Sequence, residues 1–150
     1  ATAIAVNDAI KFIIVKITHI SKLASDVSAI PACRLKLVEL QRRIAEKSDC
    51  VLDGRDIGTY VLPDANVKIF LTASPEVRAT RRYKELLSKG QKVEYDKVLS
   101  DINERDKNDS SRAFAPLKKA DDAVEIDSSD MTIEQVIAVI DEILSQKGVF

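Results

Sequence analysis

Apolar residues in this chain gather into short dense runs, separated by longer stretches in which they recur every three or four positions. That change of period predicts strands and helices in turn. The dense runs are "FIIVKI" (12–17), "CVLDG" (50–54), "VKIFLTA" (67–73) and "AVEID" (123–127), each read as a buried strand. "VKIFLTA" lacks clean alternation, which suits a parallel strand covered on both faces. "HISKLASDVSAI" (19–30) has a loose helical period. Pro31 then opens a stronger helix, "PACRLKLVELQRRIAEK", with Leu35, Val38, Ile44 and Ala45 near a 3.6 period and basic residues toward its end. "SPEVRATRRYKELLSKG" starts with a Ser N-cap and Pro at the first helical position, and stops at Gly90. A charged helix follows over roughly 94–107, ending in "ERDKNDSSR". "TIEQVIAVIDEILSQKG" closes the chain as an amphipathic helix, again with Gly at its end.

Strands alternating with helices predict an α/β fold, a three-layer parallel sheet flanked by helices. Ligands bind such sheets beyond the carboxyl ends of the strands. "DGRDIG" and "TASPEVR" both fall at strand ends of that kind. No internal repeat or low-complexity segment interrupts the pattern, and 150 residues suffice for one domain with a core.

Charge narrows the partners. A net charge of −1 argues against a nucleic-acid polymer or an anionic membrane as partner, either of which would call for a basic excess. No apolar run approaches the roughly 20 residues of a membrane span. The opening "ATAIAVNDAI" has no basic flank before an apolar segment, so a signal peptide is not expected and a cytoplasmic monomer is. Cys33 and Cys50 lack metal-ligand spacing and are expected as buried small hydrophobes without a disulfide. His19 has no nucleophile or carboxylate constellation around it and is read as structural.

What remains is arginine beside carboxylate: Arg55 between Asp53 and Asp56, the trio Arg78, Arg81 and Arg82, Arg105 before Asp106, and Arg112 after Asp109. For any one of these, a solvated helix face is a sufficient account. Arg55 and Asp56, however, sit in a glycine-flanked loop at a strand end, and Arg112 sits at a helix exit. Arginines converging from several segments are what a phosphoryl group requires, because planar guanidinium groups grip phosphate oxygens in pairs. Phosphoryl transfer needs positioning and charge more than a nucleophilic side chain.

"DGRDIGTYVLPDANVKIFLTASPEVRATRRYKEL" and "INERDKNDSSRAFAPLKKADDAVEIDSSDMTIEQV" closely resemble bacterial cytidylate kinases, which are P-loop nucleoside monophosphate kinases. The resemblance covers roughly residues 18–146 and rests on "DGRDIGT" and "ERDxxDxxRxxAPL". It implies transfer of the γ-phosphate of ATP to CMP or dCMP, with Mg²⁺. It also implies one kinase domain over 1–150, incomplete, with an acceptor-binding region at about 7–30 and a helical lid at about 86–98. By the same resemblance Arg55 and Arg112 hold the CMP phosphate, and Ser25, Arg34 and Asp56 recognise cytosine. Asp109 holds the ribose, and Arg81, Arg82 and Arg105 flank the lid where arginines face the ATP phosphates. "DSSDMT" lies near the adenine site. Asp53 either orients Arg55 or lies near Mg²⁺, and no residue is assigned as a metal ligand.

One departure stands out. The family's Walker A loop, G-x-x-x-x-G-K-[ST], is not found among these residues, whose glycines are 54, 58, 90 and 148. "TAIAV" resembles the strand that should lead into that loop, yet it runs into "NDAIKFIIVKI", which looks like the acceptor-binding part. The expectation is that a block including the loop is missing between about residues 6 and 7, and that the chain as it stands has little kinase activity. Two alternatives remain: an inactive CMP-binding module, or a related small-molecule kinase with another acceptor such as UMP, AMP or shikimate.

Overall fold

The computed structural model describes residues 2–6, 30–112 and 115–149. The expected strand at 12–17, the helix expected at 19–30 apart from Ile30, and with them His19 and Ser25, lie outside the described residues. Four strands form one sheet: β1 (Thr2–Val6), β2 (Val51–Gly54), β3 (Val67–Thr72) and β4 (Val124–Asp127), in the order β2-β1-β3-β4. The helices are α1 (Pro31–Ala45), α2 (Pro75–Ser88), α3 (Tyr95–Ser111) and α4 (Ile133–Gln146), with a π-helical turn at Ile57–Val61.

The α/β expectation holds, and β2, β3 and β4 point the same way. β3 and β4 pair in parallel, Ile69 opposite Val124 and Leu71 opposite Ile126. β1 differs in direction. It runs antiparallel to both neighbours, with Ile4 opposite Asp53 on one side and Ile69 on the other, so the sheet is mixed. Antiparallel ladders are slightly the stronger per residue, and either direction places β1 between β2 and β3.

The main core lies between the sheet and α4. Val67, Ile69, Ile126 and Leu144 are buried together, with Leu71, Val139, Ile140 and Ile143 packed on them. α4 is amphipathic as expected, and its start carries a capping box in which the Thr132 side chain accepts from Gln135 N while Gln135 accepts from Thr132 N. A second cluster, Val38, Ile57 and Val61, ties α1 to the π-helical turn. Lys68 shows why β3 lacks alternation: it is buried opposite the α4 face, with its ammonium 2.7 and 2.9 Å from the Asp122 carboxylate oxygens. A lysine stem can line such a surface provided its charge is answered.

Other expectations need correction too: of the strands expected as buried, β2 has no buried residue and β4 buries only Ile126. Leu35 and Ile44 share the α1 period but are exposed, and Val38 and Ala45 alone carry that helix into the core. Cys50 is buried, whereas Cys33 is only half-buried; both are free thiols. The charged helix runs past 107 to Ser111, to the end of the "ERDKNDSSR" stretch expected to close it. Residues of the "NDSS" type favour caps over helix interiors, so tertiary contacts at Asp109 must hold those last turns.

Candidate functional site

β2 ends at Gly54, and the chain turns at once to present Arg55 and Asp56. Gly54 has no positive φ; what excludes a side chain there is Ile57, whose Cγ1 would lie 2.9 Å from a Cβ. Burial of Ile57 thus pulls the turn tight, and the two charged residues sit between the strand end and the π-helical turn. Asp56 is buried and pairs with Arg34 from the first turn of α1.

α3 supplies the second half. The Asp109 carboxylate is 3 % exposed and meets three arginines from three places in the chain. Arg55 Nε lies 3.1 Å from its Oδ2, Arg112 Nη2 lies 2.7 Å from Oδ1, and Arg105 Nε lies 3.7 Å from Oδ2. Leu117 N donates to the Asp109 carbonyl at 2.8 Å, so backbone and side chain of this residue are both engaged. Ala115, between them, has φ +49°, a left-handed conformation that alanine adopts at a cost of about 1–2 kcal/mol. These contacts explain the extra length of α3: one buried carboxylate anchors its last turn.

Arg34, Asp53, Arg55, Asp56, Arg105, Asp109 and Arg112 all line one open cleft of about 630 Å³. Leu37, Leu40 and Ile44 of α1 form its apolar wall. Burial and the charge of Arg105 lower the Arg55 pKa, against the pull of Asp109, Asp106 and Asp53. The Asp53 side chain opens onto the cleft, yet the protein packed around it raises its carboxyl pKa, partly offset by Arg55. Among the described residues no three carboxylate, imidazole or thiol groups gather as a metal site.

The remaining expected arginines lie elsewhere. Arg81 donates to Ser128 Oγ at 3.2 Å, to the Ser128 carbonyl at 2.6 Å and to the Met131 carbonyl at 3.3 Å. It therefore clasps the "DSSDMT" loop. Arg82 pairs with Glu85 on the surface at 2.8 Å. Glu85, which also meets Lys89, is held down to about 2 by those two hydrogen bonds. Arg78 and Asp106 are not among the expected site residues, yet they join α2 to α3 by a two-pronged ion pair. Their spacing is the one sequence signal of that role: Asp106 lies one helical turn before Asp109, and Arg78 one turn before Arg81 and Arg82.

A family model described as cytidylate kinase matches residues 2–146. Cytidylate kinase of Carboxydothermus hydrogenoformans is 47% identical over 135 residues, covering 90% of this chain and 61% of that protein. The Fervidobacterium nodosum enzyme is 53% identical over 124 residues, covering 83% and 57%. That of Clostridium acetobutylicum is 54% identical over 127 residues, covering 85% and 58%. The chain spans about three fifths of the length of these curated relatives. With "DGRD" and "ERDxxDxxR" folded into one arginine-lined cleft, and the family match running through nearly all of the sequence, the chain belongs to the cytidylate kinase family.

Proposed function

We propose that this chain forms the acceptor side of an ATP:CMP phosphotransferase, binding CMP or dCMP in the cleft between α1, the turn after β2 and α3. The observation that carries this reading is the convergence of Arg55, Arg105 and Arg112 on one buried carboxylate. The four arginines lining the cleft, Arg34, Arg55, Arg105 and Arg112, outnumber its three carboxylates, Asp53, Asp56 and Asp109, so the cleft keeps a positive excess that the negative charge of a phosphate monoester would answer. Arg55 and Arg112 grip the CMP phosphate, and Asp109 holds them in place while offering acceptor capacity to the ribose. Charge repulsion among the arginines is relieved in advance, so little reorganisation is needed when the phosphate arrives.

The Arg34–Asp56 pair reads the base. A carboxylate accepts from the exocyclic amine of cytosine, and a guanidinium donates to the ring carbonyl and N3. Uracil would turn a carbonyl toward Asp56, two acceptors with no proton between them, and that repulsion supplies specificity. Ser25 belongs to the same reading through the family alone.

ATP with Mg²⁺ supplies the phosphoryl group, and the ion would be held chiefly by phosphate oxygens of the nucleotide. Of the three arginines assigned to the donor side, Arg105 is the best supported, since its side chain is 56% exposed at the cleft. Arg81 would have to release the loop at 128–131 to take part. The 150 residues carry no G-x-x-x-x-G-K-[ST] run to cradle the donor phosphates. That favours a second reading for this chain taken alone: it recognises CMP and transfers little phosphate.

Titration calorimetry of a mass-verified chain with CMP, dCMP, UMP and AMP tests the first reading. Binding of the two cytosine nucleotides in preference to the others is expected, and equal binding of all four would overturn it. A coupled ADP-release assay separates the second: robust CMP-dependent turnover by this chain would sink it.

A further inference from the structure

Asp106 sits on the same face of α3 as Asp109, three residues earlier, and it faces a different element. Arg78 Nη1 donates to Asp106 Oδ1 at 3.0 Å and Arg78 Nη2 to Oδ2 at 2.5 Å. The third donor of the same guanidinium, Nε, bonds the Ala73 carbonyl at 2.9 Å, immediately beyond the carboxyl end of β3. Both side chains are about three-quarters covered. One rigid fork thus joins three elements: the end of β3, the first turn of α2 and the C-terminal half of α3.

A helix end fixed only by its own hydrogen bonds can slide and rotate, and Asp109 is a single turn further along. A planar bidentate pair restricts rotation about the α3 axis in a way that a point charge does not. Asp106 also lies close enough to Arg55 for the two charges to be felt mutually.

We propose that Arg78 and Asp106 are positioning residues, fixing the rotation of α3 so that Asp109 meets Arg55, Arg105 and Arg112 together. Neither touches the nucleotide. They connect the sheet and the donor-side helix to the arginine cluster of the acceptor site. The first arm of the test is independent of any ligand, and the second rests on the CMP reading above.

In ¹⁵N-arginine spectra of the free 150-residue chain, the Arg55 Nε–H signal is expected to be protected from exchange. Arg78→Gln and Asp106→Asn should each shift it and speed its exchange. Arg78→Lys, which keeps the charge but not the fork, should fail to restore it. Thermal melts of the same variants show that they are folded, and Arg78→Lys serves if the glutamine variant is not. An unchanged Arg55 signal in folded variants overturns the proposal.

The second arm is the ratio of CMP to cytidine affinity, expected to fall by roughly three- to tenfold in each variant, with cytidine binding retained. The double variant should lose no more than either single one. Loss of CMP and cytidine affinity in parallel would indicate a merely structural pair and overturn the proposal. So would tighter CMP binding by Asp106→Asn, the sign expected if Asp106 acted only as a negative charge near the phosphate site. If Arg55 responds but the parent chain binds no CMP, the positioning role stands and the functional reading falls.

Discussion

The arginines of α3 and those of α2 look alike in the sequence and behave differently in the fold. Around α3, Arg55, Arg105 and Arg112 share one buried carboxylate and stay partly open to a cleft. Along α2, Arg81 is spent on main-chain carbonyls of a neighbouring loop, and Arg82 on a surface glutamate. The difference lies in the partner. A carboxylate shared among three cations leaves uncompensated positive charge at the surface, available to a phosphate. A carbonyl clamp engages the Arg81 donors within the protein, and Arg82 shares the exposed Glu85 with Lys89 on the open surface, away from the cleft. Arginine content alone marks neither.

The largest effect should come from removing the shared partner. Asp109→Ala leaves three cations crowded without their anion, and we expect a loss of about 3 kcal/mol in folding stability. That is the low end for breaking a buried pair, because the arginines stay half-exposed. CMP binding should be lost as well. Calorimetric and thermal measurements check both, and a stable variant with intact CMP binding would break the comparison at its centre.

Next comes the division of labour inside the cleft. Arg55→Ala should weaken CMP binding by about 1.5–3 kcal/mol while leaving cytidine binding nearly unchanged. Asp56→Ala should do the reverse, eroding preference for cytosine over uracil more than phosphate affinity. A nucleoside and nucleotide panel reads both, and equal losses across all ligands in either variant would contradict the assignment.

The fork between the two regions should be visible in acid. Burial works against the Asp106 carboxylate, but hydrogen bonds and charge from Arg78, with a contribution from Arg55, outweigh it and lower its pKa. A depressed pKa in the folded state contributes stability above the unfolded value, about 3.9, and that contribution is lost as pH falls through the folded value. Asp106→Asn should therefore lower the melting temperature at pH 7, with the gap to the parent closing as pH drops below about 4. A gap independent of pH would remove this charge from the account. The smallest effect is expected on the other side of the comparison. Arg82→Ala breaks only an exposed pair, and both stability and CMP affinity should stay within about 0.5 kcal/mol. A large loss of turnover in a phosphorylating relative carrying the same change would restore Arg82 to the donor site.

Much of the architecture is legible in the sequence because local chemistry and the fold agree. Ser74 accepts from Val77 N as an N-cap should, and Pro75 opens α2. Gly90 and Gly148, read as stops, both take positive φ, at 74° and 71°. "DGRD" and "ERDxxDxxR" mark the cleft by motif alone, and Arg34, Arg55, Asp56, Arg105, Asp109 and Arg112 do come together there. Where sequence and fold part, the deciding contacts are distant along the chain. Leu35 and Ile44 fit a helical period, yet periodicity does not say which of two apolar faces meets the core. The same holds for Gly54, whose need is set by Ile57 packed against it rather than by backbone conformation.

Local sequence was enough to read where α2 and α4 begin and end, which residues carry charge, and which family the motifs resemble. Each of those depends on residues within one or two turns of each other. Contacts distant along the chain set the rest: they make Asp109 the common partner of three arginines and so hold the last turn of α3. The tertiary structure alone showed that β1 runs antiparallel, and that Arg78 reaches Asp106 across 28 positions while Arg81 turns to Ser128 across 47. The physical reason is that a guanidinium has no local preference among carboxylates, carbonyls and phosphates. Burial and distance choose its partner, and both exist only once the chain has folded.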